Sequence, residues 1–390
     1  MKKKVLLLVL NDFTHDIRPL KEAVSLKEAG YNVRVLAVTS RGLPAHEVIQ
    51  QIEVDRLQLK TTRWIGYQPG KANAAQLIVM YTEMLVQYMW ALITTYRNCD
   101  IIHAHAIQAL PLGVFYKIFV NRKSKLIYDC HEYETEQFSK HGLPKLIAKV
   151  IEKTLIRFAD EILVVSESIA QDYEKLYKIP KLHVIFNCPP RYHSVEKYDL
   201  FRQKFAIQPS QKIFLYQGGL ASGRGVELLL QVFRSLDPQK YVLIFLGYGP
   251  LEAEIIRASQ NSQNIFFHPA VKPNDLLRYT SSADYGFALI EDKNLSFRYC
   301  LPNKLFEYIQ AGIPVLVSNR TEMRQFVSTH PVGEIIESDD RESVRVAMDR
   351  ILAKGTEYFK NDLRLAAEKF NWQEQEKILL QIYEGLRLSC

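Results

Sequence analysis

The stretch KVLLLVLNDFTHDIRPLKEAVSLKEAGYNVRVLAV, residues 4–38, decides the fold. It opens on an apolar run from Val5 to Leu10, crosses a polar turn, continues as a helical pattern from Ile17, stops at Gly30 and ends in a second strand-like run. Strand, helix and strand in succession, with glycine closing the helix, is the pattern of a parallel, doubly wound sheet. The lysines before Val5 imitate the start of a signal peptide. The apolar run is short, however, and meets Asn11 and Asp12 without a small-residue cleavage site, so it reads as a buried first strand.

Outward from this unit the alternation continues through DIIHAHA, KLIYDCHE, a long helix and EILVVSE. A second series begins after residue 205, with KIFLYQGG, VELLLQVFRSL, YVLIFLGYG, NIFFHPA, YGFALIE, KLFEYIQAG and PVLVS. A chain of 390 residues is too long for one ordinary core. The expectation is therefore two similar α/β domains, residues 1–188 and 189–372, joined through IFNCPPRYHSVEKYD at 185–199. The amphipathic helix at about 373–390 either caps the second domain or packs back on the first.

Composition narrows the class. With 47% hydrophobic and 24% charged residues the chain is globular, and its net charge of +7 suits nucleic acid, anionic lipid or an anionic small substrate. No aromatic RNA-binding motif or zinc-finger spacing is present, which argues against nucleic acid. Five scattered cysteines without CxxC spacing fit a reducing cytoplasm and supply neither a disulfide framework nor a zinc site. The most apolar segment, Ala75 to Arg97, contains Glu83 and Gln87 and reads as a core helix rather than a membrane span. In GLPKLIAKVIEKTLIRFAD, Lys145, Lys149, Lys153 and Arg157 recur every four residues beside an apolar face. That is either a solvated stripe or a contact for anionic headgroups.

Three groups of residues invite chemistry. YQGGLASGRGVELLL puts Gly218, Gly219, Gly223 and Gly225, with Arg224 among them, between a strand and a helix, where backbone N–H groups and a cation favour a phosphate. GYGP, with Gly249, ends the next strand in a similar turn. His103, His105 and His131 lie near strand ends, where open α/β sheets bind ligands; the HxH spacing also admits a metal. Finally, CLPNKLFEYIQAGIPVLVS places Asn303, Lys304 and Glu307 in an otherwise apolar stretch leading into a strand. An ordinary i,i+3 surface pair is the plain alternative for Lys304 and Glu307.

Taken in order, IRPLKEAVSLKEAGYNVRVLAV, DIIHAHA, YDCHE, ADEILVVSES, GGL…GRGVELLL, GYGP, ADYGFALIE, LPNKLFEYIQAGIPVLVS and FNW…YEGL resemble the family 4 retaining glycosyltransferases over essentially the whole chain. The resemblance implies the GT-B fold: α/β, two facing Rossmann-like domains with parallel sheets. It implies a nucleotide-diphosphate sugar held by the C-terminal domain, a glycan or glycolipid acceptor on the N-terminal side, retention of configuration, and neither a cofactor nor an obligatory metal. Glu307 matches the family's ribose-binding glutamate, with Gly218, Gly219, Gly249 and Asn303 beside the donor. Arg224 and Lys304 would offset the diphosphate, and His131 lies where the family often has a histidine near the transferred sugar. Asp16, Arg18 and His105 are the acceptor-side candidates. Tyr299 stands where the family carries its first motif glutamate, and Gly219 where it carries an arginine. No carboxylate nucleophile is evident, so a front-face substitution is expected, at the cytoplasmic face of a membrane and in cell-surface polysaccharide synthesis. A nucleotide-sugar 2-epimerase and a silent nucleotide-sugar-binding scaffold are the competing readings.

Overall fold

The computed structural model describes residues 2–14, 16–39, 42–61, 73–137, 142–179, 182–192 and 196–388. The chain divides into two compact units, one formed by Met1–Ile185 with Glu376–Cys390 and the other by Phe186–Gln375. The break thus falls at Ile185, before the prolines of the expected connection, and the last helix is shared out at Glu376.

The first unit is an eight-stranded sheet in the order β3-β4-β2-β1-β5-β6-β7-β8. Its strands are β1 (Lys4–Leu8), β2 (Asn32–Val38), β3 (His46–Ile49), β4 (Ile52–Leu57), β5 (Ile101–His105), β6 (Lys125–Asp129), β7 (Glu161–Val164) and β8 (Leu182–Val184). Among the described pairs only β3 and β4 are antiparallel. The helices are α1 (Ile17–Glu28), α2 (Ala74–Thr94), α3 (Ala106–Phe115), α4 (Gly142–Leu155) and α5 (Glu167–Tyr177). Strand β1 is central, paired to β2 and β5, and Val5 to Leu8 are buried, which is why its sequence does not alternate. Gly30, at φ 90°, closes α1 in the left-handed region. The crossover from β1 to β2 runs one way along the sheet; those from β4 to β5, β5 to β6 and β6 to β7 run the other. Right-handed connections therefore put α1 on one face and α2, α3 and α4 side by side on the opposite face, with α3 packed against both neighbours.

The second unit is a six-stranded sheet in the order β11-β10-β9-β12-β13-β14, and every described pair is parallel. Its strands are β9 (Lys212–Gly219), β10 (Tyr241–Tyr248), β11 (Ile265–Pro269), β12 (Tyr285–Ala288), β13 (Val315–Ser318) and β14 (Gly333–Ile336). Its helices are α6 (Leu200–Phe205), α7 (Val226–Phe233), α8 (Glu252–Gln260), α9 (Pro273–Thr280), α10 (Leu295–Arg298), α11 (Asn303–Gln310), α12 (Thr321–Thr329) and α13 (Arg341–Lys369), followed by α14 (Trp372–Leu388). In each sheet the strand order reverses once beside a central strand, between β1 and β5 and between β9 and β12. Such switch points leave a crevice at the carboxyl ends of the strands.

Candidate functional site

At the switch point of the second unit, β9 ends in Tyr216, Gln217, Gly218 and Gly219. Gly218 has φ 105°, a conformation that side-chain-bearing residues rarely adopt, and both glycines are exposed. Gly249 serves the turn in a different way. A Cβ there would lie 2.4 Å from the Leu220 carbonyl oxygen, so its absence lets the ends of β9 and β10 meet. Leu220 N–H donates to Tyr248 O at 2.9 Å, and Leu251 N–H donates to Leu220 O at 3.0 Å, stitching the two turns together.

Helix α11 begins at Asn303, which is exposed, and carries Lys304 and Glu307 into this crevice. Lys304 is only 5% exposed. Its Nζ lies 3.6 Å from the centroid of the Tyr216 ring and has no hydrogen-bond partner among the described residues. Burial, and then the charge of Arg224, push its ammonium well below the ordinary lysine range, while Glu307 pulls weakly the other way. Arg224 lies over the Phe297 ring at 6.0 Å. Glu307 is held by Gln217, whose Nε2 donates to its Oε2 at 2.5 Å. Gln217 is oriented in turn by Thr280, whose hydroxyl donates to Gln217 Oε1 at 2.8 Å, and by its own N–H, which donates to the Tyr308 hydroxyl at 3.1 Å. These contacts exclude the plain surface-pair alternative for Lys304. Tyr299 follows α10 and is half-buried.

The crevice of the first unit holds a denser set of charges. Arg18 forks onto Asp129, with Nε donating to Oδ2 at 2.8 Å and Nη2 to Oδ1 at 2.7 Å, and its Nη1 donates to the Ile185 carbonyl at 2.8 Å. Arg18 Nε also lies 3.2 Å from Glu22 Oε1. His105 Nδ1 is 3.2 Å from Asp129 Oδ2 and 3.1 Å from His131 Nε2. The His103 ring stacks on that of His105, with His103 Nδ1 2.9 Å from the Tyr383 hydroxyl of α14. Glu22, His103, His105 and Asp129 present atoms within 4.8 Å of one another, as a metal site would, but the cation facing both carboxylates is the guanidinium of Arg18.

Protonation within this cluster follows from its geometry. Burial works against a charged His131, yet the hydrogen bond and charge of Asp129 outweigh it and raise the imidazole to about 9. Burial raises Glu22 to about 8, helped by the charge of Asp129, while Arg18 opposes the shift. Asp129 stays well below the usual carboxylate range despite its burial, chiefly through Arg18. Burial pushes His103 and His105 down. At neutral pH His131 is therefore an imidazolium that donates, and Glu22 a neutral acid. His131 is also the member of the cluster that reaches solvent, with its side chain 24% exposed.

Of the acceptor-side candidates, Arg18 and His105 are buried, and Arg18 Nε, Nη1 and Nη2 each donate within the protein, so these residues position Asp129 and His131. Asp16 is half-buried and accepts from Asn11 Nδ2 at 2.7 Å.

The family models described as Glycosyltransferase Family 4 and Glycosyl transferases group 1 match residues 22–188 and 197–370 respectively. The chain belongs to this glycosyltransferase family. It is a hexosyltransferase-type enzyme with the GT-B fold. The glycosyltransferase is 23% identical over 403 aligned residues to the chitobiosyldiphosphodolichol beta-mannosyltransferase of Debaryomyces hansenii, covering 93% of this chain and 81% of that protein. Its identity to the Kluyveromyces lactis protein of the same name is 24%, covering 85% of this chain and 79% of that one. Among solved structures, sucrose-phosphate synthase from Thermosynechococcus elongatus superposes with a TM-score of 0.80 at 17% identity, covering 100% of both chains. Anabaena HepE in complex with UDP-glucose gives 0.74 at 14% identity, covering 98% of this chain and 99% of that one.

Several residues of the glycosyltransferase's crevices lie outside the expected set: Gln217 and Thr280 behind Glu307, Tyr216 beneath Lys304, and Asp129, Glu22 and Tyr383 around the histidines. Gln217 had a visible signal, a polar residue at the end of the apolar run KIFLY. Glu22 and Tyr383 had none, since each looks like an ordinary member of an amphipathic helix.

Proposed function

We propose that this glycosyltransferase moves a hexose from a nucleoside-diphosphate sugar to a lipid-linked glycan, as part of cell-surface polysaccharide assembly at the inner face of a membrane. The buried Lys304 amine, with no hydrogen-bond partner among the described residues and beside the exposed Gly218 and Gly219, carries the donor half of this reading. An unpaired amine in a low-dielectric crevice gains most from an arriving polyanion, and the resulting charge-assisted contacts stabilise a departing diphosphate. Arg224 would supply the second cation, and Glu307, already oriented by Gln217, would accept the ribose hydroxyls. The acceptor half is supported by the relatives, whose names specify transfer to a diphosphodolichol-linked disaccharide. His131, as an imidazolium, would serve as a hydrogen-bond donor rather than act as the base. Transfer is proposed to need neither a cofactor nor an obligatory metal.

Retention by front-face substitution is the stereochemical course of this proposal, with a donor phosphate oxygen taking the acceptor proton. One observation favours a second course. The relatives are named for a β linkage, and a β-mannoside made from an α-linked donor requires inversion and a base. Incubation with a panel of nucleotide sugars and a short-chain lipid-diphosphate disaccharide, followed by proton NMR of the product anomer, tests both. The expected product is the trisaccharide with the donor's configuration. Inverted product would replace the front-face course, and epimerised donor without an acceptor, or no turnover, would overturn transfer itself.

A further inference from the structure

Helix α4 is amphipathic in the wrong sense for a soluble surface. Its inward side presents Ala148 and Glu152, and the Glu152 carboxylate accepts the hydroxyls of Tyr128 at 2.7 Å, Tyr173 at 2.8 Å and Tyr177 at 2.7 Å. Its exposed side carries Leu143, Leu146, Ile147 and Val150, spaced i, i+3, i+4 and i+7. Helix α2 is built the same way. Met84, Tyr88 and Leu92 face the core, whereas Ile78, Val79, Leu85, Val86, Ile93 and Trp90, the last 69% exposed, face out. This corrects the reading of Ala75–Arg97 as a core helix, since only 17% of its most apolar stretch is buried.

The two helices flank α3 on one face of the sheet, and the π-helical turn that continues α3 exposes Phe119. Exposed apolar surface of this extent marks an interaction site. The acidic groups of both helices are turned to other partners. Glu83 accepts the N–H groups of Lys60 and Thr61, each at 2.8 Å, and Glu152 is buried among the tyrosines. The cations lie at the margins: Lys153 and Arg157 follow the exposed stripe of α4, and Arg122 and Lys123 follow Phe119, all exposed. The expected four-residue basic stripe is shorter than the sequence indicates, because Lys145 and Lys149 both pair with Glu136, at 2.5 and 2.7 Å.

An apolar centre with a cationic margin and no outward carboxylate on either helix matches the chemistry of an anionic bilayer surface. We propose that α2, Phe119 and α4 form one lipid-docking face, on which the two helices lie in the interface without crossing it. Helix α2 is long and apolar enough to span a membrane. However, Tyr88 and Leu92 are fully buried in the core of this unit, and the Tyr88 hydroxyl donates to Val9 O at 2.5 Å, so α2 stays with the sheet. The inference deepens the reading of a lipid-linked acceptor: a docked face would keep the enzyme where that acceptor resides.

Flotation of the full chain tests this, with vesicles of phosphatidylcholine alone and mixed with phosphatidylglycerol. The protein should float with the mixed vesicles. Trp90→Ser, and Leu146→Ser combined with Val150→Ser, should each weaken binding by about tenfold or more, as expected for withdrawing large apolar side chains from lipid. Lys153→Gln with Arg157→Gln should weaken it less, and by an amount that added salt removes. Because these side chains are exposed, unfolding temperatures should stay near wild type, which separates lost docking from lost folding. Failure to float, or equal flotation of the variants, overturns the proposal. So does a wild-type dimer that the apolar substitutions convert to monomers, which would give the face to a second copy. Transfer to a soluble acceptor without flotation sinks the docking face alone; flotation without transfer to any acceptor sinks the enzymatic reading alone.

Discussion

The two crevices sit at equivalent points of two similar sheets and are finished in opposite ways. In the first unit the strongest charges are already paired: the Arg18 fork is filled by Asp129 and Ile185, and Asp129 also holds His131. In the second unit the Lys304 amine is buried with no partner among the described residues, beside glycines that leave room. The paired charges fix the charge and direction of one imidazolium, while Glu22 Oε1 and Oε2, His103 Nε2 and His105 Nε2 beside them have no hydrogen-bond partner among the described residues. A buried amine without a hydrogen-bond partner costs stability in the free protein and returns it when a ligand supplies the missing charge. The first crevice holds its charges against one another, and the second holds a buried amine apart.

Breaking the paired charges of the first crevice should produce the largest effect. Asp129→Ala leaves the Arg18 guanidinium buried without its main partner, and a loss of about 3–5 kcal/mol in unfolding free energy is expected. Denaturant titration measures it; a change under about 1 kcal/mol would show that the network is not a stability element.

On the binding side, Glu307→Ala should abolish transfer and weaken the donor while the fold stays intact. Gln217→Leu should act through Glu307, weakening nucleoside and nucleoside diphosphate alike by roughly tenfold, the scale of one hydrogen bond to a charged group. Calorimetry checks this. An effect confined to the diphosphate would place Gln217 with the phosphates instead.

A smaller effect separates the crevices by pH. His131 is raised from 6.5 to about 9, so its stabilising contribution is complete below 6.5 and fades as pH climbs through 9. Glu22 is raised from 4.5 to about 8, so its contribution likewise fades as pH climbs through 8. Stability should therefore decline from about pH 4.5 to about 9, and Glu22→Gln, which cannot ionise, should flatten the part of that decline below about 8. An unchanged slope in the variant would contradict the assignment of Glu22 as a neutral acid. For catalysis, His131→Ala should lower turnover more than donor affinity.

What was legible in the sequence, and what was not, follows the same divide. Alternating strand and helix patterns revealed two parallel sheets, because apolar runs such as Val5–Leu10 and the glycine stops are local signals. Lys304 and Glu307 stood out because polar groups interrupt an apolar run. Arg18 and Asp129 are 111 residues apart, and His103 and Tyr383 are 280 apart, so only the fold brings them together. The outward faces of α2 and α4 were hidden for another reason: helical periodicity shows that an apolar face exists, but not whether the core or the surroundings will cover it.

The claim that the second crevice awaits a diphosphate is tested most directly by calorimetry of Lys304→Ala against a nucleoside and its diphosphate. The account predicts that diphosphate affinity falls about tenfold or more while the nucleoside is scarcely affected, matching one charge-assisted contact. Gly219→Arg in the same protein should restore part of the loss, since a Cβ at Gly219 meets no atom within 4 Å and its φ is not in the left-handed region. Equal losses for both ligands, or none for the diphosphate, would contradict it.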